Sequence, residues 1–549
     1  MNRTTPVVYL LLLFVLMYCA LPTNAQQVAP SNAYEDLVSF FFEWREFRVP
    51  AMTDGVPDYS RANMERQQAE LQNWQERLNA FDTAGWPVAH QVEWYMIWAE
   101  MNGLDFAHRV KQPWFRDPAF YIWFYSYKTD VPEREAPQIH GAVELPKYGW
   151  PLSAEEASEI HERLTVTSDV LAQARQNLTG DGRDLWVSGA KSVARHAGHL
   201  GIFADQVEAE YPKLAAEARM AMEATSAFAD WITSQLPDKN GTSGVGKDNY
   251  TWNLQKVHLL PYTWEEEVLL MERELARSHS ALRLTEHNNR DLPRLEKISD
   301  PAVYEELFNT AVTEYHAFLR DEEVLTMKPY IEPALRERVD EYSEVEGIRG
   351  FFAEVHYRDP IIMRTHDYHW IELARIREEP HPSEIRRPAL RYNLFDGRAE
   401  GMATAMEELM MNAGFLDDRP RSKELIYILI AQRAARALGG LYQHGLEMTL
   451  QESAEFASKW TPWGLLPADG ATIQGEEHFY LRQPAYGTSY LIGKLEIDKL
   501  IAEYARQRDG NFVLKEFMDE FNSRGVIPVS LIYWEMTGDK SMLEAAVGR

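Results

Sequence analysis

Residues 421–445 read "RSKELIYILIAQRAARALGGLYQHG". The run is far longer than a strand and shows no period-two alternation, so it reads as a helix. It is also apolar enough to be buried, which places it inside a large helical core. The segments around it read the same way. "SAEEASEIHERLTVTSDVLAQARQNL" (153–178) opens on Ser153 as N-cap with acids in the first turn. "TWEEEVLLMERELARSHSAL" (263–282) has Thr263 as cap and Glu266 three residues on, the spacing of a capping box. "DPAVYEELFNTAVTEYHAFL" (300–319) begins Asp-Pro, suited to N-cap and N1, and "YLIGKLEIDKLIAEYARQ" (490–507) is amphipathic. Strand patterns are scarce, and "GFFAEVHY" (350–357) reads as one short strand. The expected fold class is therefore all-α, with at most a few short strands.

Loop signals fall at 129–152, 237–249, 283–299 and 462–476, and none marks a domain linker. No internal repeat or low-complexity tract stands out. The aromatic stretch "PAFYIWFYSY" (118–127) reads as core packing, with a ligand-lining role as the alternative.

The N-terminus has the form of a signal peptide. Arg3 precedes the apolar run "VVYLLLLFVLMYCAL", and a small-residue site follows, with cleavage expected after Ala25. The mature helical domain then spans 26–549. Leu16, Met17 and Tyr18 suit lipid attachment at Cys19 poorly, so the expectation is a soluble exported, periplasmic or extracellular protein. Cys19 is the sole cysteine and leaves with the signal peptide, which excludes disulfides and thiolate chemistry from the mature chain. The formal charge is −28, and −29 once Arg3 is removed. Such an acidic chain is a poor partner for nucleic acid or anionic membranes, and no later segment reads as a membrane span.

The residues that carry chemistry lie in "MRTHDYHWIELARI" (363–376) and "DGRAEGMATAMEELMMNAG" (396–414). Asp359-Pro360 reads as the start of the first helix and "EPHP" (379–382) as its stop. Helical phasing places Ile362, Met363, His366, His369, Trp370 and Leu373 on one buried face and turns Glu372 away from it. In the second helix Asp396 reads as the cap, and Glu400 and Glu407 lie two turns apart on one line. Two buried histidines followed by a carboxylate make a plausible zinc ligand set. The bland alternatives are hydrogen-bonded core histidines and, for Glu407, a solvated helix charge. A second HxxH pair, His196 and His199, shows how cheaply the pattern arises. HExxH, GxSxG, a phosphate loop and an EF-hand pattern are all absent.

These segments resemble the bacterial domain of unknown function 885 family, a largely helical, zinc-peptidase-like group. Its motifs run H-E-x-x-P-G-H-H-x-Q, then E-G-W-A-x-Y-A-E, then R-Y-x-x-x-P-G-Q-A-x-S-Y-x-x-G, ending near G-x-V-P-x. Here "EGMATAMEE" (400–408), "FYLRQPAYGTSYLIG" (479–493) and "RGVIPVSLIYWEMTG" (524–538) stand at the later motifs. The arginine-rich helix at 433–456 and segments at 115–121, 246–254 and 262–276 extend the likeness over nearly the whole mature chain. The resemblance implies a helical peptidase-like fold with a central cleft and an active-site-like half at about 350–549.

The first motif departs from the family. Met363 stands at its first ligand histidine and Arg364 at its general-base glutamate, with His369 at the retained histidine and Glu372 at the glutamine. Met402 and Ala405 replace the Trp and Tyr of the second motif. In the third, Tyr480 and Tyr490 remain, Phe479 replaces the arginine, and "PAY" (484–486) replaces Pro-Gly-Gln. Methionine is a poor zinc ligand, and arginine cannot act as a base at neutral pH.

Three readings follow. The first is a peptidase-related protein without standard zinc-peptidase activity that binds a peptide or small ligand in the old cleft. Tyr480, Tyr490 and Glu407 would be its candidate catalytic-cleft residues. The second is a metal-dependent hydrolase with a shifted site, His366, His369 and Glu400 holding zinc, Asp367 or Glu407 acting as base or support, and His356 as a further candidate ligand. The third is a metal-free hydrolase of glycans or esters using Glu400 and Glu407 as paired acids.

Overall fold

The computed structural model describes residues 33–337, 342 and 350–548; the signal-peptide reading lies outside the described residues. Helices carry nearly all the regular structure. Two-stranded pairs are the only sheets among the described residues: Met52–Thr53 antiparallel to Val56–Pro57, and Phe124–Tyr125 parallel to Val143–Glu144. The fold is thus mainly α, as expected from the sequence. No described helix is long and apolar enough to cross a membrane.

The helices used below are α1 (Val88–Phe106), α2 (Arg183–Val207), α3 (Pro212–Gln235), α4 (Trp264–Asn288), α5 (Tyr368–Glu378), α6 (Asp396–Asn412), α7 (Ser422–His444), α8 (Ala471–Arg482) and α9 (Tyr486–Gln507). The expected buried helix is α7, with Leu425, Ile428, Leu429, Ile430 and Ala434 wholly inaccessible. Each such aliphatic side chain is worth about 1.5–3 kcal/mol of burial. α4 crosses it, and Trp264 donates its indole N–H to the Leu441 carbonyl at 2.8 Å. The expected caps form. Ser153 and Glu156, and Thr263 and Glu266, make reciprocal capping boxes, and Asp300 accepts from the N–H groups of Ala302 and Val303.

Five sequence expectations are corrected. The 153–178 pattern is two helices, Ala154–Thr165 and Thr167–Asn177. In the "TVT" run between them, the Thr165 and Thr167 hydroxyls bond back to the Glu162 and Leu164 carbonyls, competing with the helix ladder. Residues 350–357 are not a strand: Phe351–His356 is a helical turn that buries Phe351, Glu354 and Val355 at i, i+3 and i+4. The loop read at 283–299 begins only after Asn288, and that read at 462–476 ends where α8 begins. Asp396 is the first residue of α6 and not its cap; its buried carboxylate instead accepts from Gln483 Nε2 at 2.6 Å.

Of the 118–127 aromatics, Phe120, Tyr121, Trp123, Phe124 and Tyr125 are buried in a second apolar cluster built around α2 and α3, where Phe124 meets Phe203 at 5.1 Å between ring centres, whereas Tyr127 is exposed. Several buried histidines belong to the packing. His108, His196 and His444 each hold one ring nitrogen against a protein oxygen, at 3.0, 2.7 and 3.0 Å. Burial pushes their pKa values down to about 4, and that of His258 to about 3. The unfolded chain takes up these protons near pH 6.5, whereas the folded chain resists them until pH 3–4. Their stabilising effect is complete above pH 6.5 and is lost as pH falls through this window, at up to about 1.4 kcal/mol per histidine per pH unit. Urea unfolding should therefore show a lower midpoint at pH 5 than at pH 7.5. Equal midpoints would show that these rings gain protons without penalty.

Candidate metal centre

The His366 and His369 segment is not one helix from Asp359. Ile362–Arg364 forms a 3-10 turn, and α5 starts only at Tyr368. Asp359 holds the turn by accepting from the Ile361 N–H at 3.2 Å and from the Ser422 hydroxyl at 2.5 Å. His366 therefore projects from the turn and His369 from the helix, with ring centres 5.0 Å apart and planes at 80°.

α6 brings Glu400 to the same place. Gly401 lets α6 press against α9 at Gly493: a Cβ on Gly401 would lie 2.5 Å from the Gly493 Cα. Ligand atoms of His366, His369 and Glu400 lie within 4.8 Å of one another, at the wall of a cavity of about 290 Å³. His369 Nε2 is 3.2 Å from Glu400 Oε2 but makes no properly angled hydrogen bond. Tyr486 donates its hydroxyl to Glu400 Oε1. Behind His366, Glu407 Oε1 sits 3.1 Å from Nδ1. Glu407 is wholly buried, which corrects its reading as a solvated charge. Arg433 grips it bidentately at 2.7 and 2.8 Å.

The electrostatics follow from these contacts. Burial works against the charged His369 ring, but Glu400 and Asp130 outweigh it and raise the pKa to about 9. Burial lowers that of His366, with Glu407 opposing. Burial alone would raise both carboxyls; His369 holds Glu400, and Arg433 and His366 hold Glu407, below the usual range. Burial, together with Glu400, pushes Tyr486 and Tyr490 far up, so both stay neutral donors.

The other sequence candidates are placed as follows. His356, Met363, Asp367 and Tyr490 line the cavity. Tyr480 does not; its hydroxyl donates to Glu476 at 2.6 Å, beside Arg436. Glu407 is not a lining residue, so Glu400 and Glu407 do not face one substrate as paired acids. Glu372 is away from the cavity but buried, clasped by Arg398 at 2.7 Å and Arg375 at 3.1 Å. Arg364 is absent from the lining too. It is fully buried against the Phe308 ring, with its ion pair to Asp367 at 2.6 Å.

Two acids were not anticipated from the sequence. Asp130 and Glu135, from the 129–152 loop, bring carboxylate atoms within 4.8 Å of Glu400. Thr129 donates to Glu135 at 2.9 Å, and the Ala136 N–H is tied to Gln483. Burial, with Asp130 adding, pushes Glu135 up to about 7. Tyr486 was also missed, although it lies in the "PAY" that replaces Pro-Gly-Gln. Its position beside "TSY" was the available signal.

The resemblance implies zinc, and the residues present fit it. A buried imidazole nitrogen without a hydrogen bond faces a carboxylate oxygen, and two histidines with one glutamate form a zinc-type donor set. With Nδ1 of His366 held by Glu407, Nε2 remains as its coordinating atom, the usual carboxylate–histidine arrangement.

Similarity to known proteins is strongest at the level of fold. A structure described as a "putative lipoprotein of unknown function" from Shewanella oneidensis aligns with a TM-score of 0.64 at 15% identity, over 92% of this chain and 100% of that one. A "putative lipoprotein" from Colwellia psychrerythraea aligns with a TM-score of 0.65 at 15% identity, over 92% and 98%. No curated protein matches the sequence. The model of the family described as "Bacterial protein of unknown function (DUF885)" matches residues 47–330 and 369–536, resuming at His369 just past Met363 and Arg364, and the chain belongs to that family.

Proposed function

We propose that this chain is an exported metal-dependent hydrolase of peptide-like or other small ligands. Its centre is rebuilt one turn away from the family's His-Glu pair, on His366, His369 and Glu400. The observation that carries this reading is the convergence of those three ligand atoms on a cavity edge, with Glu407 supporting His366 from behind. Zinc bound there would acidify a water and polarise a carbonyl. The chain's own residues supply the rest. Glu407 and Arg433 orient the His366 ring, Tyr486 holds the Glu400 carboxylate, and the Tyr490 hydroxyl offers a donor to a developing oxyanion. Glu135, which lines the cavity within 4.8 Å of Glu400, would take a proton from water.

The test is metal analysis of the mature protein after gentle purification. About one equivalent of transition metal is expected. His366→Ala and Glu400→Ala should each release it, and Glu407→Gln should weaken metal affinity by about 10–100-fold. Metal-free protein that all three changes leave unaltered would overturn the proposal.

A second reading, ligand binding without standard zinc-peptidase activity, is favoured by one contact. The Arg433 guanidinium lies 3.3 Å from His366 Nδ1, bringing positive charge close to the ligand set. Zinc-supplemented turnover of mixed peptides, abolished by a chelator, would sink it.

A further inference from the structure

A second, larger cavity of about 830 Å³ opens on the other side of the 130–138 segment. Asp130 and Glu135 face the small cavity, whereas Arg134, Ala136 and Gln138 face the large one. One wall is aromatic: Tyr59, Trp114, Phe120 and Trp123 line it, with Tyr59 and Trp114 stacked at 6.0 Å.

Its polar groups are one-sided. α1 ends in a π-helical turn, Ala107–Lys111, followed by Gln112 at φ +41°, and this irregular turn delivers Lys111 into the lining. Lys111 makes no hydrogen bond or ion pair among the described residues. Arg391, which lines the same cavity, donates to the Gln138 carbonyl at 2.6 Å and has no carboxylate within ion-pair distance among the described residues. Three lining residues carry a buried side-chain polar atom without a hydrogen bond: Arg48 Nε, Trp114 Nε1 and Arg134 Nη1. All three are N–H donors. The lining acids do not balance this. Glu144 is taken by Arg134 and Lys147, while Asp54, Glu159 and Glu162 are exposed. Glu133 is half-buried and pairs with neither Lys111 nor Arg391 within 4 Å.

Buried donors and cations left without acceptors cost stability unless something satisfies them. We propose that this cavity is a binding site for a small aromatic carboxylate, its anionic group taken by Lys111 and Arg391 and its ring lying on the Trp114–Trp123 wall. Burial and the nearby Arg482 lower the Lys111 pKa to about 8, with Asp396 opposing, as expected of an ammonium awaiting a counterion. The site is distinct from the metal cleft and does not depend on it.

The probe is 2-naphthoate, titrated calorimetrically into the mature protein alongside its neutral isostere 2-naphthamide and inorganic phosphate. The naphthoate should bind about tenfold or more tightly than the amide, and phosphate should not bind at concentrations that saturate with naphthoate. Lys111→Met should weaken naphthoate about tenfold and leave the amide unchanged. The change orphans no internal partner, and circular dichroism checks the fold. Arg391→Gln carries the same expectation should Lys111→Met not fold. Glu400→Gln should leave naphthoate binding intact, whatever the fate of the metal site. Equal affinity for naphthoate and amide, phosphate binding as tight as naphthoate, unchanged naphthoate affinity in the folded variants, or loss of binding in Glu400→Gln would each overturn the proposal.

Discussion

Arg433→Met should destabilise the protein by about 3–5 kcal/mol, because it strands the Glu407 carboxylate in the core without its countercharge. The pair is bidentate, with side chains 2% and 0% exposed, and the remaining polar neighbour of Glu407 at the site is His366, at 3.1 Å. The loss should appear as a lower urea midpoint with an unchanged slope. Removing both charges should restore most of it, since two apolar side chains of similar volume leave no orphan. Arg433→Met combined with Glu407→Leu is therefore expected to be markedly more stable than Arg433→Met alone. A double variant no better than the single one would mean that Arg433 acts by packing and not by charge.

Gly493→Ala is expected to cost about 3 kcal/mol or more and to disturb the centre as well. Its Cβ would lie 1.9 Å from the Gly397 carbonyl oxygen and 2.7 Å from the Gly401 Cα, both backbone atoms that no rotamer change can move aside. α6 and α9 would have to part. α6 carries Glu400 and α9 begins at Tyr486, so the hydroxyl–carboxylate bond between them should loosen. The variant should show both a reduced melting temperature and reduced metal content. Unchanged melting would show that the crossing has slack that the close approach of the two backbones does not reveal.

Local chemistry was legible where one residue type had one role. The Ser153–Glu156 and Thr263–Glu266 boxes, the Asp300 cap and the apolar length of α7 follow from propensity and periodicity. The trio His366, His369 and Glu400 could also be read in advance, but for an incomplete reason. Helix phasing put both histidines on one face, whereas His366 actually projects from the turn before α5. The strand read at 350–357 failed because eight residues of mixed polarity fit either period, and packing of Phe351 and Val355 chose the helix.

What the sequence by itself determined is the helical class, the main caps and the buried run of α7. What only the tertiary structure decided is which charges meet. Glu407 looked like surface until Arg433, 26 residues on, closed over it. Arg364 looked like a cation in the active site until it packed on Phe308. Asp130 and Glu135 reach Glu400 across about 270 residues of chain, and Lys111 and Arg391, 280 residues apart, line one cavity. Periodicity reports only a residue's neighbours within a turn or two. The stabilisation or cost of a buried charge depends on partners that are near in space and distant in sequence.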